Sequence, residues 1–148
     1  VRRMLCLDPG GVTGVAIIDY DNNNVNVTYF GQVEDGLDGF ISWYKRVESF
    51  YNWDFVVCES FTLRPSVKFP DLSPVYIIGA LTALQERNSI IYQQPQQKPL
   101  CDDSRLKSMG FYKPGLGHAN DAIRHGIIYL RNNRHMPTLK KGWATDEL

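Results

Sequence analysis

The chain has few of the features that would place it outside a cell or in a membrane. Its three cysteines, Cys6, Cys58 and Cys101, are an odd number without C-x-x-C spacing. That pattern speaks against a disulfide framework and for reduced thiols, so a cytoplasmic setting is expected. Long hydrophobic runs are missing. The apolar stretch 4–7 stops at Asp8, short of a secretory core, and residues 75–84 are interrupted by Thr82; neither approaches the roughly 20 residues needed to cross a bilayer, so no membrane association is expected. At 148 residues the chain also lacks the length for a two-lobed kinase, a chaperone ATPase or an actin-like ATPase. One domain, 1–148, is expected. An excess of either charge is absent too, with 16 Lys plus Arg against 16 Asp plus Glu, so net charge does not select a polyanionic partner.

Charge is nevertheless unevenly distributed. Residues 1–97 carry seven basic and eleven acidic side chains, and residues 98–141 carry nine and three. The basic groups therefore gather in the last third, ahead of Asp146 and Glu147 in the tail.

Hydrophobic patterning gives the order β-β-β-α-β-α-β-α-α. Short apolar runs at 4–7, 14–18 and 25–30, separated by Asp8-Pro9-Gly10-Gly11 and Asp21-Asn22-Asn23-Asn24, read as three antiparallel strands joined by turns. Leu37, Phe40, Ile41, Tyr44, Val47 and Tyr51 recur at helical spacing. Residues 53–59 read as a buried strand closing on Glu59, and 60–72, with Pro65 and Pro70, as a loop. Ser73-Pro74 opens an apolar helix to about Glu86, with Ser73 as N-cap and Asn88 as the stop. A strand at 89–93, a turn at Pro95 to Pro99, a short helix at 104–109 and a final helix at 118–130 complete the reading. The last presents Ala119, Ala122, Ile123, Ile127 and Leu130 to the core. The expected fold class is α/β, with a mixed sheet of about five strands, the first three antiparallel, flanked by helices.

Candidate chemistry lies at strand ends. Asp8 emerges where the first strand stops, and Gly10 and Gly11 let a ligand approach the backbone. Glu59 ends an apolar strand in the same way. His118 and Asp121, at i,i+3 spacing, share a face of the last helix. Taken singly, each has a structural explanation, such as a turn acid or a first-turn helix acid. Taken together, three acids on one sheet edge repel one another unless a cation intervenes. Oxygen ligands favour Mg²⁺, with Mn²⁺ as a substitute. Two such ions about 4 Å apart can activate water and stabilise a leaving oxygen in phosphodiester cleavage. Asp8, Glu59, His118 and Asp121 are thus the candidate catalytic and metal-binding residues. His125 is assigned a structural or supporting role.

Residues 5–14 (Leu-Cys-Leu-Asp-Pro-Gly-Gly-Val-Thr-Gly), the strand-end Glu59 and the run His118-Ala119-Asn120-Asp121-Ala122 resemble the RuvC-like Holliday junction resolvases, particularly the phage-type members. The resemblance implies an RNase H-like fold, a homodimer, and nicking of branched DNA in recombination and repair to leave 5′-phosphate and 3′-hydroxyl ends. It matches Asp8, Glu59 and Asp121 to the family's metal-binding carboxylates and His118 to a position filled by His or Asp. It also implies action in the cytoplasm of a bacterial host. Lys98, Arg105, Lys107, Lys113 and Arg124 are candidate DNA contacts, and Arg131, Arg134, Lys140 and Lys141 extend the basic third around the expected site. Phe61 and Phe69, in the loop after Glu59, are candidates for stacking on bases. The apolar helix 75–84, with Gly79 and Ala80, resembles a dimer-contact helix. Competing functions are an RNase H-like nuclease acting on RNA, as in rRNA processing, or on DNA flaps, and a non-catalytic DNA-binding module.

Overall fold

The computed structural model describes residues 1–85 and 89–144. Five strands form one sheet in the order β3-β2-β1-β4-β5. β1 (Arg2–Asp8), β2 (Thr13–Tyr20) and β3 (Val25–Val33) are antiparallel, and β4 (Phe55–Glu59) and β5 (Ile90–Gln93) run parallel to β1. The β3–β4 and β4–β5 connections carry α1 (Gly36–Val47) and α2 (Ser73–Leu84). Beyond β5 come a 3-10 turn (Pro95–Cys101), α3 (Asp103–Met109), α4 (Gly117–Asn132) and α5 (Met136–Gly142). This is the mixed, helix-flanked sheet expected from the patterning.

Strand alternation divides the core in two. Met4, Cys6, Ala16 and Ile18 lie under α4 with Phe55, Val57, Ala122, Ile123 and Ile127. Leu5, Leu7, Val15 and Ile17 lie under α1 and α2 with Phe40, Trp43, Tyr44, Ile77 and Leu81. Two glycines let α4 settle onto the strands. A Cβ on Gly126 would meet Cys6 Sγ at 2.5 Å, and one on Gly14 would meet the His118 carbonyl oxygen at 1.8 Å. All three cysteines are buried and free.

Several boundaries differ from expectation for identifiable reasons. α1 ends at Val47 rather than Tyr51. The last amides fold back onto Val47, and Tyr51 packs on Tyr29 and under the Arg3 guanidinium. Leu72, not Ser73, is the N-cap of α2, because the Asp71 carboxylate accepts a hydrogen bond from the Ser73 amide at 2.9 Å and starts the helix one residue early. The expected end near Glu86 and stop at Asn88 lie outside the described residues, as do Asp146 and Glu147. The expected turn at Pro95 is a 3-10 turn reaching Cys101. The chain forms a further helix, α5, that the patterning did not anticipate, entered through His135, whose Nδ1 lies 2.7 Å from Thr138 Oγ1.

Candidate active site at the ends of β1, β4 and β5

The alternation that sets the core also aims the polar residues. Asp8 continues the Met4–Cys6 face of β1, Glu59 the Phe55–Val57 face of β4, and Gln93 the Ile91 face of β5; Glu59 and Gln93 are register partners. All three therefore face α4 at one edge of the sheet. α4 begins there, and its first turn is held by Gln32 of β3, whose Oε1 accepts hydrogen bonds from the His118 and Ala119 amides at 3.0 and 3.4 Å. Helical periodicity then presents His118, Asp121 and His125 toward the strand ends.

Asp8 and Glu59 are nearly buried, at 7% and 8% exposure, and their carboxyls are in hydrogen-bond contact. Burial, then this contact, then the charges of Glu59 and Asp121 push the Asp8 carboxyl up to about 9. Glu59 is also buried, which alone would raise it. His125, Asp8 and Lys98 outweigh that penalty and hold it well below the carboxylate range.

Lys98, from the 3-10 turn, places its Nζ 3.0 Å from Glu59 Oε1 and 3.4 Å from Asp121 Oδ2. His118, with its side chain half exposed, has Nδ1 3.6 Å from Asp8 Oδ2. His125 is fully buried, with Nδ1 2.8 Å from Gln93 Oε1. Its Nε2 lies 3.6 Å from Glu59 Oε1, an ion-pair distance rather than a hydrogen bond. Asp121 is turned toward Arg124, whose Nε donates to Asp121 Oδ1 at 3.1 Å.

The structure thus brings Asp8, Glu59, His118 and Asp121 to one edge, together with Lys98, Gln93 and His125. Lys98 appears in the sequence only as one more cation of the basic third. Gln93 is the residue the sequence reading passed over, although, like Asp8 and Glu59, it closes an apolar strand. The remaining candidate contacts are dispersed. Arg124 is buried, and its guanidinium donates to the Cys101 carbonyl, to Asp103 at 2.6 Å and to Asp121. Arg105 donates to the Gly142 carbonyl and lies over Trp143. Lys107 lies over Tyr112 and Lys113 over Phe30. Phe61 lines two cavities beside β4, one including Glu59, whereas Phe69 is 86% exposed.

Arg131, Arg134, Lys140 and Lys141 do not surround this edge. They follow α4 to its other end, where His135 Nε2 contacts the carbonyl oxygen of Asp21 in the β2–β3 turn at 2.6 Å. The expectation that the whole basic third encloses the carboxylates is corrected by this path of the helix.

Among the described residues, no three His, Cys, Asp or Glu side chains already stand as a compact metal cage. The donors nonetheless suit a hard divalent ion at Asp8 and Glu59. They offer oxygen ligands, and both the raised Asp8 carboxyl and the Lys98 ammonium beside Glu59 mark a demand for positive charge. Mg²⁺ is commonly held by one or two carboxylates and completed by water and phosphate.

No family model matches the sequence, and no curated protein matches it. Solved structures do resemble the fold. RuvC of T. thermophilus in complex with a Holliday junction substrate superposes with a TM-score of 0.69 at 13% identity, covering 91% of this chain and 97% of that one. RuvC of Thermus thermophilus gives 0.64 at 14% identity, covering 88% and 96%. The Fowlpox virus resolvase in complex with Holliday junction DNA gives 0.60 at 18% identity, covering 87% and 99%. The chain has the RNase H-like fold of these resolvases.

Proposed function

We propose that the chain is a divalent-metal-dependent, structure-selective endodeoxyribonuclease that cuts branched DNA, four-way junctions above all, leaving 5′-phosphate and 3′-hydroxyl ends. The observation that carries this reading is the pressing together of Asp8 and Glu59 on neighbouring parallel strands, with Asp121 and His118 brought beside them by α4. Two of the similar structures are complexes with Holliday junction DNA, which supports the choice of substrate.

Asp8 and Glu59, with Asp121 and His118 beside them, would hold Mg²⁺ or Mn²⁺, in one or two sites. Bound there, the metal would supply Lewis-acid stabilisation and a nucleophile at neutral pH. Asp8 would have to be deprotonated to serve as a ligand. Lys98 is placed to offset charge on the scissile phosphate, its ammonium held ready by Glu59 and Asp121. His118, exposed on the solvent side of Asp8, is placed to orient water or accept a proton. Arg124 holds Asp121 in place, while Gln93 and His125 back Glu59 from the core. Lys107, Lys113, Arg105, Phe61 and Phe69 are the reading's candidates for DNA contact.

The reading includes a homodimer through α2. That helix is apolar on most sides and buries only Ile77 and Leu81, leaving Val75 and Tyr76 at 42% and 56% exposure. Next to it opens a cavity of about 360 Å³ lined by Ser60, Phe61, Val75, Ile78 and Tyr92. The setting proposed is the bacterial cytoplasm, with the chain encoded by a phage.

The test is a substrate panel of four-way, flapped, linear and RNA-containing duplexes, with and without Mg²⁺, with the cut positions mapped. Symmetric metal-dependent nicks near a junction centre are expected. Cutting confined to RNA strands or flaps would replace the proposed substrate, and binding without cutting under any metal would leave a DNA-binding module.

A further inference from the structure

The end of the molecule remote from the carboxylates has a chemistry of its own. From Ala122 to Ala144 the sequence contains no Asp or Glu, yet it carries Arg131, Arg134, Lys140 and Lys141. α5 folds Lys140 and Lys141 back beside the asparagine-rich β2–β3 turn. Two openings flank it. One, of about 350 Å³, is lined by Asn23, Asn24 and Asn26 together with Pro137, Lys140 and Lys141. The other, of about 330 Å³, is lined by Arg131, Asn132, Arg134 and Leu139. Among the described residues, neither lining includes an acid. The acid of the adjoining turn, Asp21, is engaged by the Asn23 and Asn24 amides at 2.8 and 2.9 Å. Lys141 and Arg131 also lie over the Phe111 and Trp143 rings, and exposed Lys140 and Arg134 stand with the asparagine amides at hollows whose described lining suits phosphate oxygens.

The backbone adds an independent sign. α4 ends with the Arg134 amide donating to the Arg131 carbonyl and the His135 amide donating to the Leu130 carbonyl. In this type of helix terminus the left-handed position strongly favours glycine. Here it holds Arg134, at φ 56°, in a conformation that glycine adopts without penalty. An exposed guanidinium is kept where the fold alone would prefer no side chain.

We propose that this face is a second nucleic-acid contact, taking the phosphate backbone of a duplex arm that leaves the carboxylate edge along α4. The inference rests on the reading of the chain as a junction nuclease and extends it to how far along an arm the protein reaches. At 1.5 Å per residue, the stretch from Asp121 to Arg134 puts the two regions about 20 Å apart. A duplex rising 3.4 Å per base pair reaches the far face after about six base pairs.

The test is equilibrium binding of a labelled four-way junction to metal-free protein across a salt series, with arms of about 5 and about 15 base pairs, the short ones capped by hairpins. With long arms, the Lys140→Ala/Lys141→Ala double variant is expected to lower affinity about tenfold near 0.1 M salt and to reduce the slope of log K against log salt by about two. With short arms it should match wild type. Arg134→Gly separates contact from folding, because it should reduce the slope by about one while holding or raising Tm. Wild-type affinity and slope in these variants, or an equal loss with short and long arms, would overturn the inference and leave the nuclease reading standing. Parallel falls in Tm and affinity for Arg134→Gly would also overturn it. A chain that cuts nothing but still loses long-arm binding in the double variant supports this face while the nuclease reading falls. A wild-type chain that binds no DNA sinks both.

Discussion

At the end of the sheet where β1, β4 and β5 stop, two buried carboxyls touch, a third lies near, and Lys98 and Arg124 are drawn in to compensate. At the end where β1 starts, the same kinds of side chain are at rest. Arg3 grips Asp19 through two hydrogen bonds of 2.6 and 2.8 Å, and its amide donates to Asp54 at 2.8 Å. One Arg–Asp pair in partial contact with water contributes little and asks for nothing more. Acids forced together under a helix retain an electrical demand that the protein meets only in part, and that unmet demand is what the proposed metal would answer.

The comparison breaks most visibly in activity. Asp8→Asn, Glu59→Gln and Asp121→Asn should each reduce Mg²⁺-dependent nicking of a branched substrate by about two orders of magnitude or more, while junction affinity survives as repulsion with phosphate falls. Full nicking in any of the three would remove that residue from the site. Next in size is Gly14→Ala, whose Cβ would collide with the His118 carbonyl and lift the start of α4 from β2. A loss of about 1–3 kcal/mol in denaturant unfolding is expected, together with loss of nicking.

The contrast also predicts an inversion of stability. Asp8 keeps its proton to about 9 when folded, whereas an unfolded aspartate releases it near 4. Between those values folding takes up a proton, so this group's contribution to stability declines as pH rises through the window. Asp8→Asn should therefore raise Tm in EDTA by a few degrees at pH 8, about 1–2 kcal/mol, and by less at pH 5. Added Mg²⁺ should raise the Tm of wild type more than that of the variant; equal shifts would separate Asp8 from the metal.

On the α2 side of the sheet, the proposed homodimer predicts that wild type sediments as a dimer and that Val75→Glu with Tyr76→Glu sediments as a folded monomer, since both side chains are exposed in a single chain. The smallest effect is expected at the resting end. Arg3→Ala should cost at most about 1 kcal/mol and leave nicking unchanged; a large loss of activity there would erase the distinction between the two ends.

The carboxylate edge was legible in the sequence because an apolar strand that ends in an acid carries its own address. Alternation then decides which face Asp8 and Glu59 take, and i,i+3 spacing pairs His118 with Asp121. What could not be read was the partner of each cation. Arg124 and Lys98 look alike in a basic stretch, yet one is buried against Asp103 and the Cys101 carbonyl and the other stands among the acids. Whether Arg134 and Lys141 face the site depends on the turn after α4 and on α5, a helix of seven residues whose packing on α3 is a tertiary event with no periodic signature of its own.

The three sheltered thiols make the molecule its own reporter. Cys6 lies beneath Gly126 in the middle of the sheet, Cys58 directly precedes Glu59, and the Cys101 carbonyl receives the Arg124 guanidinium. A thiol-reactive dye can enter only where the structure has opened. The order in which the three sulfurs become labelled therefore gives, without any engineered probe, the order in which carboxylate edge and interior come apart.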